Sequence, residues 1–375
     1  MSLARVDSAS AAPANLAPLT AIRFCAALWV VLYDFWPDLT GGRPPVIAKG
    51  YLGVELFFVL SGFILSHVYL RGWEGGRFKY GAFLWARVAR IWPLHVATLI
   101  GIGVLGGVAA IMGVAITHPV LAWDALPANL LLVHAWDLAP RGGWNHPSWS
   151  ISAEWFAYLV FPAFAWASMR LARRPKLAVG GALLLLFAGY WSFQETQGFP
   201  LTSATTHLGF VRILPPFAFG CALHLLWRSG VVATRREAKL GLFTALALVA
   251  LLTACGAPDA ATVAAFGLLI VSLAGLSSTG SAWMTHPFAV YLGEASFALY
   301  MVAIPWRLGV GGLVTLFLHP PDDAPWPLLP WLGLVVGAIP VAMIAHNLVE
   351  RPARILLRRV AELRPARPRE EPRTA

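Results

Sequence analysis

Six charged residues sit in or beside otherwise apolar runs. Arg23 and Asp34 lie in the first run, Glu55 in the second, Arg87 and Arg90 at the mouth of the third, and Glu154 in a later one. A charge in hydrocarbon is expensive, so such residues line a pathway or an active site rather than face lipid. Arg23 and Asp34 are eleven residues apart. On a helix that spacing returns to within about 20° of the same face and spans roughly 16 Å. One stripe of one helix then carries a cation towards one membrane face and a carboxylate towards the other, a layout suited to work across a bilayer.

The elements that position these charges follow from composition. The chain has 375 residues, 58% of them hydrophobic and 12% charged. Its mean hydropathy is +0.68. Soluble domains carry about 25% charged residues, so this is a polytopic membrane protein, and its apolar runs leave no room for a sizeable soluble module. Ten runs are long enough to span: 18–37, 50–70, 88–115, 150–169, 177–193, 210–228, 238–256, 260–278, 288–316 and 329–349. A shorter run, 125–136, contains Pro127 and His134 and reads as an interfacial or re-entrant helix. The expected fold is all-α, a bundle of about ten spans with a polar cavity between the early helices.

Net charge is +10, and its placement argues for topology rather than nucleic acid. Arg71, Arg77, Lys79, Arg87 and Arg90 mark one side. So do Arg170, Arg173, Arg174 and Lys176, then Arg228, Arg235, Arg236 and Lys239, then the tail from Arg351. The opposite connections are poorer in Lys and Arg; they hold Asp259, Asp322 and Asp323, with Arg43, Lys49 and Arg141 as exceptions. The positive-inside pattern with ten crossings places both termini in the cytoplasm. Residues 1–17 read as a flexible cytoplasmic leader, 18–354 as the membrane domain, and 355–375 as a basic tail that fixes topology or meets anionic lipid. Cys25, Cys221 and Cys255 form no CxxC and read as buried free thiols; no metal site is expected.

Seven segments recur along this frame: Leu19 to Pro37 with Arg23 and Asp34; Gly50 to Phe63 with Glu55 and Ser61; Arg87-Val-Ala-Arg90-Ile-Trp-Pro93; Asn145 to Tyr158 with Trp149, Ser150 and Glu154; Ile213 to Gly220; Ala295 to Pro305 with Tyr300; and Val349-Glu350-Arg351-Pro352. In this order they resemble the acyltransferase-3 family of integral membrane acyltransferases, from about Leu19 to Arg354. The stretch SWSISAEWFAYLVFP is most similar to the branch that decorates extracellular polysaccharides. The resemblance implies O-acetylation or related transfer of an acyl group, acetyl in the usual case, from cytoplasmic acyl-CoA such as acetyl-CoA. The acceptor would be a hydroxyl of an extracytoplasmic glycan, an exopolysaccharide for example, or of a small molecule, and the place a bacterial inner membrane. It also marks two departures. The family pattern of an Arg, ten residues and a catalytic His reads here as Arg23 and Asp34. A His frequent in the late motif is replaced by Ala303.

Each residue has a dull reading beside the chemical one. A histidine suits general-base work because its pKa lies near working pH. A carboxylate suits it only where burial raises its pKa, so Asp34 is either the base or a structural hydrogen-bonding group. Arg87 and Arg90 share a helix face; they grip the CoA phosphates or simply anchor the positive-inside end. Arg23, deeper, pairs with Glu55 or reaches the donor. Ser150 and Glu154 share a face, Glu154 orienting the acceptor or packing helices, Ser150 capping a helix. His146 could stand in for the missing base, or be an exposed loop histidine. Trp144, Trp149 and Trp155 could stack on sugar rings or belong to the interfacial belt, and His67, His95 and His224 read as structural.

The expectation is therefore a membrane O-acyltransferase with Asp34 and Glu154 catalytic, Arg23, Arg87 and Arg90 holding the donor, and Glu55, Ser150, Trp149 and Tyr300 in support. Its partners would be the bilayer, acyl-CoA, the glycan and polysaccharide export machinery. The missing histidine motivates an alternative, a catalytically impaired relative acting in export or assembly. A path lined by Arg23 and Glu55 motivates a third reading, an anion transporter.

Overall fold

The computed structural model describes residues 16–113, 120–279, 285–318 and 325–362. Among them the regular elements are helices: α1 (Ala17–Thr40), α2 (Pro45–Ala48), α3 (Leu52–Glu74), α4 (Tyr80–Ile111), α5 (Leu126–Leu130), α6 (Trp149–Leu159), α7 (Phe161–Leu171), α8 (Pro175–Gln197), α9 (Gly209–Arg212), α10 (Leu214–Arg228), α11 (Arg235–Ala254), α12 (Asp259–Thr279), α13 (Pro287–Leu318), α14 (Leu328–Ala345) and α15 (Arg351–Glu362). A π-helical turn, His346–Glu350, joins the last two. Proline opens several of them, where its missing N–H is harmless, as at α7, α8 and α10. A Thr234–Glu237 capping box opens α11. Left-handed Gly41 and Gly198 close α1 and α8.

Nine helical stretches among the described residues are long and apolar enough to cross a membrane. The tenth expected span, 150–169, is two 11-residue helices, α6 and α7, meeting at Val160. Pro162 follows the break and cannot donate into the preceding turn. Other boundaries move as well. The third span begins at Tyr80 rather than 88, so Arg87 and Arg90 lie two to three turns inside α4 instead of at its mouth. The 125–136 run is not one interfacial helix but the five-residue α5 followed by turns through left-handed Leu132. The leader and the basic tail fall largely outside the described residues, as do Asp322 and Asp323.

The chain alternates direction through the bundle. Glu74 at the end of α3 meets Arg228 at the end of α10 in a two-pronged pair of 2.5 and 2.9 Å. Glu350, after α14, meets Arg90, nearly three turns into α4, at 2.7 Å. Those contacts define a near end, where α1 begins. At the far end Arg307 grips Asp38 at 2.7 and 2.5 Å, and Lys49 pairs with Asp259 at 2.6 Å. The three basic residues that break the charge asymmetry all have partners there. Besides Lys49, Arg141 pairs with Asp124 (2.7 Å) and Arg43 lies over the Tyr33 ring at 4.0 Å.

α3, α10 and α12 form the centre; 78% of the membrane window of α12 is buried against 22% for α11. Lipid tails are as apolar as leucine, so close contact between helices relies on small residues and polar ties rather than on a hydrophobic drive. At the α3–α10 crossing Gly62 and Gly220 let the two backbones touch: a Cβ at Gly220 would fall on Val59 O, and one at Gly62 on Phe217 O. Not all three cysteines are buried as expected. Cys221 is, with its thiol 3.5 Å from Gly62 O, whereas Cys25 and Cys255 are exposed.

The deepest polar tie is Glu55–Arg212. Glu55 on α3 is fully buried and accepts from Arg212 Nε (2.5 Å) and Tyr190 Oη of α8 (3.0 Å). Arg212 also donates to Ala204 O (3.2 Å), and its guanidinium lies 4.5 Å from the Trp149 ring. The expected partnership of Arg23 with Glu55 is thus overturned, because Arg212 comes in on α9 and satisfies the carboxylate first. Glu55 therefore does not stand with Arg23 along a common path, as the transporter reading had it.

Two outcomes follow. Gly220→Ala should lose about 1–3 kcal/mol, read as a lower unfolding temperature in detergent; an unchanged temperature would deny the backbone contact. Glu55→Ala or Arg212→Ala should each lose about 3–5 kcal/mol by stranding a buried charge. The Glu55→Leu/Arg212→Met double variant should lose less than either single variant, and additive losses in that series would sink the pairing.

Candidate active site

Four helices, α1, α3, α6 and α13, line two cavities stacked along the bundle. The inner one, about 860 Å³ with its open mouth, is bounded by Arg23 on α1, Val54 to Leu65 on α3, Arg87 and Arg90 on α4, Ser150, Glu154 and Tyr158 on α6, and Phe297 and Tyr300 on α13. From Leu65 to Val54 it follows α3 for roughly 16 Å. The outer one, about 930 Å³, takes Tyr33 and Asp34 from α1, Tyr51 and Val54 around the start of α3, Trp149 from α6, Tyr300 from α13, and His146, Thr202, Arg212 and Asp259. Val54 and Tyr300 belong to both.

The inner cavity is cationic. Arg87 donates to Tyr69 Oη (3.2 Å) and packs over the Tyr69 and Tyr158 rings, while its buried Nε has no hydrogen-bond partner among the described residues. Arg90 is held by Glu350, which is also approached by His346 Nδ1 (2.8 Å) and Arg354 (4.0 Å). The π-turn brings His346 and Glu350 inward together; such turns recur at functional positions. Arg23 makes no ion pair or hydrogen bond among the described residues and rests 5.8 Å from the Phe57 ring. Glu154 accepts from Ser61 Oγ at 2.7 Å. Three guanidiniums against Glu154 and Glu350 leave one positive charge over, so the cavity suits an anionic ligand.

The outer cavity has the opposite sign. Arg212 is already balanced by Glu55, and its Nη2 is buried without a hydrogen-bond partner among the described residues. Asp259 accepts from Lys49, Tyr51 (3.0 Å) and Thr202 (2.5 Å). Asp34 makes no ion pair or hydrogen bond among the described residues, so its carboxylate stands free in the cavity. His146 is at the rim, exposed at its edge as expected for a loop histidine. Desolvation by the protein on its inner side moves its pKa below the usual histidine range. The segment carrying it is pinned from below: Asn145 Nδ2 donates to Thr98 Oγ1 (3.1 Å) and to Met301 O (2.9 Å), and His134 Nε2 lies 3.0 Å from Ser148 Oγ.

The expected site residues are thus brought to two places rather than one. Arg23, Arg87, Arg90, Glu154 and Ser150 gather in the inner cavity, Asp34 and Trp149 in the outer, with Tyr300 between; Glu55 stands behind Arg212. Glu154 does not join Asp34 at a common acceptor position. Ser150 does not cap α6; its hydroxyl donates to Pro147 O (3.1 Å), and the capping position is Ser148, which makes no side-chain cap bond. Trp144 is buried, donating to Ala122 O and packed edge-on to Trp123. His95 and His224 are buried, as a structural role requires.

Sequence reasoning missed Arg212, Asp259 and Glu350 as site residues. The rule for intramembrane charges applied to Arg212 would have found it, one residue before the Ile213–Gly220 motif. Glu350 stood in a quoted motif without a role. Asp259 carried no signal beyond its place at a helix start. Among the described residues no three His, Cys, Asp or Glu are grouped to hold a metal.

The profile of the acyltransferase domain family matches residues 17–346. Acyltransferase MdmB of Streptomyces mycarofaciens is 28% identical, over 92% of this chain and 93% of that protein. Peptidoglycan O-acetyltransferase OatA of Listeria monocytogenes is 23% identical over 81% of this chain, which spans 51% of its length. Protein 2 in picA locus of Rhizobium radiobacter is 42% identical, over 23% of this chain and 44% of its own. No solved structure matches the chain. With the family profile covering all but the two ends, and with nine helices among the described residues apolar enough to span, the chain belongs to the acyltransferase-3 family and is a membrane-embedded acyltransferase.

Proposed function

We propose that this enzyme takes an acyl group, acetyl in the first instance, from acyl-CoA entering the inner cavity at a cytoplasmic near end. It passes the group to a hydroxyl of an extracytoplasmic glycan or small hydroxylated acceptor held in the outer cavity, in the inner membrane of a bacterium. The observation that carries this reading is the stacking of a cationic and an anionic cavity on the same four helices, with Val54 and Tyr300 common to both. The near-end connections hold Arg71, Arg77, Lys79, Arg170, Arg173, Arg174, Arg235 and Arg236, which supports a cytoplasmic assignment for that end and for both termini.

In this reading Arg87 and Arg23 bind donor phosphates, and Arg90 is steadied by Glu350. Glu154, held by Ser61, keeps the guanidiniums apart and limits their charge. Asp34 is the acceptor-side base. As the hydroxyl oxygen attacks the thioester carbon, Asp34 takes its proton; the C–S bond breaks, and the thiolate leaves towards the arginines, where its charge is stabilised. A carboxylate accepts this proton less readily than the family's histidine, so transfer should be slow unless the dry cavity raises its basicity.

The test is acetyl-CoA binding and acyl transfer by the purified protein in detergent. Arg87→Ala should weaken acetyl-CoA binding tenfold or more, and Arg90→Ala should do the same; unchanged affinity in both would overturn the donor assignment. Asp34→Asn should abolish transfer while donor binding persists. Activity that appears only in Asp34→His would instead make this chain a catalytically impaired relative serving export or assembly.

A further inference from the structure

Tyr300 occupies an unusual position. It is one of two residues that line both cavities, and it is itself buried. Its hydroxyl donates to Pro147 O at 2.8 Å, which fixes the ring to the segment that also carries His146. On its inner side the ring lies 6.5 Å from that of Phe57. Val54 faces the same junction from α3. The order of lining residues is consistent on every helix. On α3 the inner positions run from Leu65 up to Val54, and Tyr51 lies beyond. On α6, Tyr158, Glu154 and Ser150 are inner and Trp149 is outer. On α13, Phe297 is inner and Tyr300 is the last.

A thioester bound with its phosphates at Arg87 and Arg90 points its acyl end along this axis, towards Val54 and Tyr300. An acetyl group ends at the junction. Each further methylene must pass between an aromatic ring tied by a hydrogen bond and a β-branched side chain whose χ1 is stiff. A packed site of this kind does not yield freely, because added methylenes force side chains off their rotamers.

We propose that Tyr300, with Val54 opposite, is the specificity-determining residue for acyl length: it closes the end of the donor cavity and admits a short acyl group while excluding longer ones. The proposal rests on the donor occupying the inner cavity, as set out above. Tyr300 acts here by contact with the acyl chain, while its bond to Pro147 O keeps the ring in place.

The experiment measures binding of acetyl-, butyryl- and hexanoyl-CoA to the full-length protein in detergent, for wild type, Tyr300→Ala, Tyr300→Phe and Val54→Ala. Wild type should bind hexanoyl-CoA at least tenfold more weakly than acetyl-CoA. Tyr300→Ala should bring the hexanoyl-to-acetyl ratio of Kd down tenfold or more. Val54→Ala, a milder change on the opposite wall, should lower it in the same direction by a smaller factor, and it keeps the test open if Tyr300→Ala unfolds. Tyr300→Phe, which retains the ring, should still discriminate by length. Equal affinity for the three donors in wild type, or a ratio unmoved in both Tyr300→Ala and Val54→Ala, overturns the assignment of Tyr300. Absence of acetyl-CoA binding by wild type would be a different failure, that of the donor reading beneath it.

Discussion

Glu55 and Arg212 face each other where neither can meet water, and this constraint sets the position of much else. A buried carboxylate and guanidinium each carry a desolvation penalty of several kcal/mol, which their mutual attraction offsets only in good geometry with further hydrogen bonds. Tyr190 and Ala204 O supply those bonds. The pair therefore holds α3 to α8 and α9, and the stacked Trp149 brings in the start of α6. α3 supplies wall to both cavities along its length, so fixing α3 fixes the axis along which donor and acceptor sites are stacked. Arg212 lies in the wall of the outer cavity with its charge balanced by Glu55, and Asp259 is balanced by Lys49, which is why the free Asp34 decides the sign of that space.

The remaining polar contacts follow the same logic at both ends. Glu74–Arg228 and Glu350–Arg90 close the near end; Asp38–Arg307 and Asp259–Lys49 close the far end. Between them the helices meet through glycines and through lipid-like side chains that gain little by choosing a neighbour over the bilayer. Specific pairing of helices in such a medium depends on a few polar ties and on places where backbones can touch. The backbones touch at the α3–α10 crossing through Gly62 and Gly220, and at the α1–α13 crossing, where a Cβ at Gly293 would fall on Thr20 O.

What could be read in the sequence divides along physical lines. The spans were legible because hydrocarbon demands long apolar runs, and the gathering of Arg23, Arg87 and Arg90 was legible because charges in such runs need a common polar space; Glu154, read beside Asp34 on the acceptor side, lies among the arginines instead. The break at Val160 was hidden, since two short helices can carry the same composition as one span. The exposure of Cys25 and Cys255 was hidden for a related reason: a lipid-facing side and a core-facing side are both apolar, so no periodic contrast tells them apart. Partnerships across the chain were out of reach altogether. Arg90 and Glu350 are 260 residues apart, Glu55 and Arg212 are 157 apart, and only the folded bundle shows that Glu55 is already satisfied when Arg23 is not. The division of the site into two cavities depends on where Tyr300 stands, and no spacing rule reports that.

The π-turn at His346–Glu350 fixes a phase relationship. A π-turn holds one residue more than an α-turn, so the helix beyond it is rotated by about 100° from the course of an uninterrupted one. That offset lets Glu350 turn inward to Arg90 while Arg354 still reaches back to it and Leu356 stays exposed. The length of chain between α14 and α15 is therefore as constrained as its chemistry. Removing a single residue from the turn, even a bland one, would leave composition and hydropathy unchanged and yet swing the whole basic, amphipathic α15 to another bearing on the bundle. Insertions and deletions in this stretch should thus be far rarer among descendants of this gene than substitutions.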